Sequence, residues 1–317
     1  MNNTGSSPFA LPLATYRFTC RAEDTVSLPA LADPLWRSVF GLALKRSSCI
    51  REGEKCRACS LRFDCDYAFL LMGFNRPHTR HGITRHMHTV PPPLIFRCRV
   101  QDHASRVPPA STFAVCLALV GTANERLPAV IRAMEDAGRL GLGRKRARFS
   151  LAEVVQDGPQ PPERLVAHGR HGMAPGLPAQ VTIPGTPRTI RFLFLSPYLL
   201  PSDTDLDQGF GGGRLVMQII RRISAMHEPY AGHPLDADFR RLKELAAMPF
   251  FLDGDIRAEP GYSYHANRKR FLAIRGDFLM RLADCAPLWP WLYLGQWLGV
   301  GKQAGKGFGR YHLQVVE

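Results

Sequence analysis

The chain has 317 residues, enough for two compact domains, and 45% of them are hydrophobic, ample for packed cores. Lys plus Arg number 41 against 27 Asp plus Glu, a formal charge of +14 that points to a polyanionic partner, nucleic acid before an anionic membrane. No run approaches the roughly 18 apolar residues of a spanning helix, and the opening MNNTGSSPFA lacks the basic region and apolar core of a signal peptide, so a cytoplasmic protein with no membrane partner is expected.

Residues 11–20, LPLATYRFTC, alternate as a first strand, with Arg17 in it and Arg21 just beyond. Asp33-Pro34 opens a helix, since Pro is pre-organised for the first helical position. Leu35, Val39, Leu42 and Leu44 form its apolar face with Trp36 and Phe40 alongside, which leaves Arg37, Lys45 and Arg46 for the other side.

The strongest local signal follows. Cys49, Cys56, Cys59 and Cys65 stand in the spacing C-x6-C-x2-C-x5-C, half of the 8 cysteines within seventeen residues. Four thiolates suit tetrahedral zinc or an iron–sulfur cluster. In a cytoplasmic chain such clusters are metal sites more often than disulfides. One structural metal centre is expected; the alternative is a set of reduced, partly buried thiols in a loop insertion. Cys20, Cys98, Cys116 and Cys285 lie in strand-like runs and read as core.

Residues 75–93 carry His78, His81, His86 and His88 among prolines and arginines and read as a flexible polar loop. LIFRCRVQ and STFAVCLALVG read as strands, NERLPAVIRAMEDAGRLG as an amphipathic helix with Leu127, Val130, Ile131 and Met134 inward, and RFSLAEVV as a fourth strand. A Pro- and Gly-rich stretch, 157–187, reads as a linker. The same order then repeats from TIRFLFLSP, with an inserted helix carrying Arg240, Arg241 and Lys243. The predicted fold is α+β: two tandem ferredoxin-like, or RRM-like, domains. The first spans 1–156 with a cysteine insertion at 47–90. The second spans 188–317 with a helical insertion at 228–250 and a glycine-rich loop at 299–309.

That loop, LGVGKQAGKGFGRYHL, follows an apolar helix and precedes the last strand. A Walker A loop needs four residues between its first Gly and Gly-Lys-Ser/Thr, whereas Gly301 and Gly305 are three apart in between. A dinucleotide fingerprint follows a strand and opens a helix, the reverse of the order here. Gly301, Lys302, Gly305, Lys306, Gly307, Gly309 and Arg310 instead suit phosphate oxygens of a backbone, through exposed N–H groups and side-chain cations.

In this order the motifs resemble a known family. LWRSVFGLALKRSSC with its cysteine cluster, AGRLGLGRKRARFSLAEV, FLFLSPYLL, LVMQIIRRISAM, YSYHANRKRF and LGQWLGVGKQAGKGFGRYHL resemble the CRISPR-associated endoribonuclease of the RAMP superfamily that cuts precursor CRISPR RNA within its repeats, in a variant with four cysteines. Two places depart from the family. Gly299 stands where many members have His, and the first helix carries no His.

The resemblance implies cleavage without a catalytic metal. The ribose 2′-OH attacks the neighbouring phosphorus, the 5′-OH leaves, and a 2′,3′-cyclic phosphate remains. His265 is then a candidate base or acid, and Arg37, Arg241 and Arg268 are candidates to stabilise the phosphorane. Arg21, Arg240, Lys243, Lys269 and Arg270 join the loop residues as candidate RNA contacts. The partners implied are a repeat RNA hairpin and other subunits of a CRISPR effector complex. The alternative function is a non-catalytic RNA-binding subunit of such a complex. An RRM without cleavage is disfavoured, because no RNP1 pattern occurs.

Overall fold

The computed structural model describes residues 11–80, 82–98, 105–158, 163–168, 178–201, 211–233, 235–248, 251–260 and 271–316. The chain divides into two compact units, the first running to residue 181 and taking in 225–234, the second holding 182–224 and 235–317.

The first unit contains β1 (Pro12–Ala22), β2 (Val26–Leu28), α1 (Asp33–Ser48), β3 (Leu94–Phe96), β4 (Ser105–Val107), β5 (Thr112–Val120), α2 (Leu127–Leu140), β6 (Phe149–Gly158), β7 (Arg164–His168) and β8 (Ala179–Gln180). Its main sheet runs β3-β5-β1-β6-β7, with β8 paired to the start of β1. Taking β1, β3, β5 and β6 as the four core strands, the order across the sheet is second, third, first, fourth. That is the ferredoxin-like arrangement predicted from the element order.

Its α1 buries Trp36, Val39, Phe40, Ala43 and Leu44, a stripe at i, i+3, i+4, i+7 and i+8. The stripe is centred on Trp36 rather than Leu35, so Leu42 is left 47% exposed. Trp36 meets Phe149 edge-on at 5.3 Å and Phe40 meets Phe96 at 5.5 Å, which ties α1 to the sheet. Buried Asp33 accepts the Cys98 N–H at 3.0 Å. The stretch read as a linker contributes strands to this unit: β6 continues to Gly158, and β7 and β8 hydrogen-bond to β6 and β1, while the second unit begins at Thr182. Prolines and glycines there flank short edge strands, where a missing ladder donor is tolerated.

The second unit contains β9 (Thr189–Phe194), β10 (Tyr198–Pro201), α3 (Gly212–Ala231), α4 (Phe239–Ala246), β11 (Phe251–Pro260), β12 (Phe271–Arg281), α5 (Trp289–Leu298) and β13 (Tyr311–Val316); the last residues of α3 fall in the first unit. The order β11-β12-β9-β13 is again second, third, first, fourth. β9 and β10 share one edge of β12: β9 pairs Asp277 to Arg281 and β10 pairs Phe271 to Ile274. Phe192 stacks on Tyr311 at 4.2 Å and on Phe278 at 4.9 Å, joining three strands through one ring. No helix among the described residues is long and apolar enough to cross a membrane.

His227 is fully buried in the first unit. Its Nδ1 stands 3.1 Å from the His233 carbonyl, so the neutral ring donates from Nδ1, and its Nε2 has no hydrogen-bond partner among the described residues. Burial first, then the neighbouring His233, pulls its pKa below the ordinary histidine value, against a smaller opposing effect of the carbonyl bond. The unfolded chain therefore binds this proton more readily, and stability is lost as pH falls below about 6.5, by at most about 1.4 kcal/mol per pH unit. Thermal unfolding between pH 8 and 5.5 is expected to show this decline, and His227→Gln is expected to flatten it. An identical pH profile in the variant would show that His227 does not carry the effect.

Candidate nucleic-acid interface

The glycine loop is built as a backbone clasp. Helix α5 closes on Gly299 at φ 71°, and Arg222 Nε donates to the Leu298 carbonyl at 2.8 Å, holding the helix end. The chain then doubles back, with Val300 N–H donating to the Gly309 carbonyl at 2.9 Å. A Cβ on Gly309 would lie 1.9 Å from the Val300 oxygen, and one on Gly301 would lie 2.5 Å from the Tyr198 ring. Both glycines have positive φ, 63° and 81°, so side chains are excluded by conformation as well as by space.

The returning arm locks onto the bend between β9 and β10. Leu195 and Ser196 amides donate to the Arg310 carbonyl at 2.8 and 3.3 Å, Gly309 N–H donates to the Pro197 carbonyl at 2.8 Å, and Arg310 N–H donates to Ser196 Oγ at 2.9 Å. Lys306 and Gly307 amides bond to Gln303 and Ala304 carbonyls at 2.7 and 3.1 Å. The amides of Lys306 and Gly307 thus face the loop's own carbonyls, and those of Gly309 and Arg310 face the bend between β9 and β10. A phosphate at this loop would meet side-chain cations rather than a nest of those amides. Lys302 is exposed and Lys306 half-buried, while the Arg310 side chain is only 6% exposed.

Sequence reading missed two residues beside the loop. Tyr198 lies under Gly301, and burial pushes its hydroxyl up to about 12, with Arg214 and a hydrogen bond from Gln218 pulling the other way. Arg214 is exposed at the head of α3, one residue after the glycine run 211–213. Gly213 is explained by packing, since a Cβ there would meet the Ala246 carbonyl at 2.2 Å, and Gly211 by its positive φ of 66°. Only the placement of a cation directly behind them hinted at a site.

The remaining sequence candidates distribute as follows. On α4, Asp238 caps the helix by accepting the Arg241 N–H at 2.9 Å. Arg240 and Arg241 share Glu244 at 3.4 and 3.6 Å, and Lys243 is exposed on the same helix. In the first unit, Arg21 is exposed at the end of β1. Arg37 is half-buried and its Nη2 donates to the Leu71 carbonyl at 2.6 Å. Burial lowers its pKa, with a smaller opposing influence of Tyr67. His265, Arg268, Lys269 and Arg270 lie outside the described residues.

The metal expectation is not met. Cys49, Cys56, Cys59 and Cys65 are half-buried free thiols, and no three His, Cys, Asp or Glu side chains among the described residues form a group that could hold a metal. The intervening chain is taken up by tight turns, in which Ala58 and Cys59 amides both bond to the Lys55 carbonyl and Cys65 N–H bonds to Leu61. The alternative of reduced thiols in an insertion matches this geometry.

Residues 11–176 match the family model described as AF_1859_N, N-terminal domain. No curated protein matches the sequence. Among solved structures, the Thermus thermophilus Cas6 (TTHB231) is 13% identical, with 96% of this chain and 99% of that chain covered and a TM-score of 0.50. A Cas6 (TTHB231) product complex is 14% identical over 96% of this chain and 99% of that one, also at 0.50. A partial Cas6-RT-Cas1–Cas2 complex is 12% identical and covers 96% of this chain and 46% of that one at 0.50. At these identities the likeness is one of fold.

The clasp generates a stability prediction. Gly309→Ala is expected to lower stability by roughly 2–3 kcal/mol, from positive-φ strain plus the collision with the Val300 oxygen. Lys302→Ala, on the exposed face, is expected to leave it within about 0.5 kcal/mol. Denaturant unfolding of both variants measures the contrast; equal midpoints would show that the loop is not a structural clasp.

Proposed function

The chain belongs to the family described as AF_1859_N, N-terminal domain, and on that footing we propose that it is an endoribonuclease that binds the repeat hairpin of precursor CRISPR RNA and cuts it to yield guide RNA. The observation that carries this reading is the tandem ferredoxin-like fold shared along 96% of the chain with Cas6, including a Cas6 product complex. The +14 charge and the cationic loop support it.

In the proposed reaction the 2′-oxygen forms a bond to the adjacent phosphorus and the bond from phosphorus to the 5′-oxygen breaks. The 2′-OH proton passes to a base, and the departing 5′-oxygen takes a proton. The nucleophile belongs to the substrate, so the step needs no metal-bound water. It needs in-line positioning and positive charge on the phosphorane oxygens. Lys302, Lys306 and Arg214 supply cations beside the clasp for the RNA backbone, and Arg21, Arg240 and Lys243 extend that role. Arg37 and Arg241 are the described candidates for the phosphorane, with Arg268 alongside them. His265 is the candidate to move the proton.

Two measurements test this. With the chain's own repeat RNA in EDTA, a single cut leaving a 2′,3′-cyclic phosphate is expected. Deoxyribose at the nucleotide before the cut is expected to abolish cleavage and spare binding, because it removes the nucleophile. Arg37→Ala or Arg241→Ala is expected to slow the cut tenfold or more, about 1.4 kcal/mol, for each residue that stabilises the phosphorane. A Mg²⁺ requirement with survival of the deoxy substrate would identify water as the nucleophile. Tight binding with no cut under any condition would make the chain a binding subunit. Neutralising Lys302 and Lys306 together is expected to weaken binding and reduce its salt dependence.

A further inference from the structure

Residues 75–80 and 82–90, within the 75–93 stretch read from sequence as a flexible loop, fold around a buried amide. Asn75 is fully buried. Its N–H donates to the His88 carbonyl at 3.0 Å, its Nδ2 to the Met87 carbonyl at 3.1 Å, and its Oδ1 accepts from Thr79 Oγ1 at 2.8 Å. Phe74 and Thr89 bridge as strand partners, and Val90 N–H closes the loop on the Gly73 carbonyl at 2.8 Å. This loop and the cysteine segment together wall a cavity of about 540 Å³, within the range of roughly 300–1,000 Å³ that encloses small ligands.

The lining has a definite chemistry. Three guanidinium groups, Arg57, Arg62 and Arg80, stand with the rings of Phe63 and Phe74 and with His88, and no carboxylate lines the cavity among the described residues. Arg62 lies over the Phe63 ring at 4.4 Å and donates from Nη1 to the Cys59 carbonyl at 3.0 Å. Arg80 is held by the Asn75 carbonyl through Nε and Nη2 at 3.2 and 3.0 Å. These bonds fix both guanidinium planes and leave other N–H donors of each group. Arg57 is exposed. The walls reject a cation and are too charged for an apolar ligand. Guanidinium forks match phosphate oxygens, and aromatic faces stack on unpaired bases.

We infer that this cavity holds one unpaired nucleotide of the bound RNA, with its base against Phe63 and Phe74 and its phosphate received by Arg57, Arg62 and Arg80. The inference rests on the RNA-binding reading above and adds a contact to a single-stranded flank outside the hairpin. Two probes separate the two ideas: the chain's own repeat hairpin alone, and the same hairpin carrying its single-stranded repeat flanks. Arg57→Glu, at an exposed position, and Phe63→Leu, which keeps an apolar side chain, are each expected to weaken binding of the flanked RNA about tenfold. Both are expected to bind the bare hairpin as the parent chain does. With 5-iodouridine in the flank, the crosslinked peptide is expected to contain Phe63 or Phe74. Equal affinity of parent and both variants for flanked RNA, or crosslinks only to other segments, would overturn the cavity while the RNA-binding reading stands. Failure of the parent chain to bind either probe would overturn both.

Discussion

The bend at residues 195–197 is the constraint on which the second unit depends. β9 and β10 must lie along the same edge of β12, so the chain between them has to turn without breaking the sheet. The amides and carbonyl exposed by that turn are satisfied by Gly309 and Arg310. A buried backbone group left unsatisfied costs about 1–3 kcal/mol, so the glycine loop and the strand pairing stabilise each other. The position of Lys302 and Lys306 is therefore set by backbone hydrogen bonds and not by the cations themselves. A charged loop anchored at both ends loses less freedom when it meets an anion, which lowers the cost of binding.

The gross count of 41 Lys and Arg overstates how many cations face a polyanion, because many are already matched. Arg76 pairs with Asp64 at 2.7 Å, Arg126 with Asp66 at 2.6 Å, Arg191 with Asp277 at 2.7 Å and Arg257 with Asp255 at 2.8 Å. Exposed pairs of this kind add little stability, but they hold those arginines on neighbouring carboxylates. α4 differs, since Arg240, Arg241 and Lys243 stand against Glu244 alone within the helix. The cavity walls differ too, with three arginines and no acid among the described residues.

The alternating and helical periodicities made both ferredoxin-like repeats legible, because each core strand and helix buries one face and the pattern follows from that burial. Register within α1 was less legible. Leu35 and Leu42 are as apolar as Leu44, and only the position of Phe149 and Phe96 in the sheet decides that Trp36 and Phe40 point inward. The order in 75–90 could not be read at all, since it depends on one buried amide bonding to carbonyls 12 and 13 residues away. The cysteines were legible only in part for a related reason. Spacing states which thiols a metal could gather, whereas the turns at 55–65 determine whether they come together. Within the glycine loop, the sequence did not show that the close approaches at Gly301 and Gly309 are to Tyr198 and Val300, parts of the protein itself.

Arg37 illustrates how the proposed chemistry divides between residues. Burial lowers its pKa, yet a guanidinium starts so high that it stays protonated in any working range. It can stabilise charge on a phosphorane and cannot accept the 2′-OH proton. Its bond to the Leu71 carbonyl fixes one edge of the fork. The same holds for Arg241, whose exposed fork is shared with Glu244 and would exchange that carboxylate for a phosphate of the same geometry. Proton transfer must then fall to another group or to water. An active site of this kind draws most of its rate from orientation and fixed positive charge and does not need a deeply buried base.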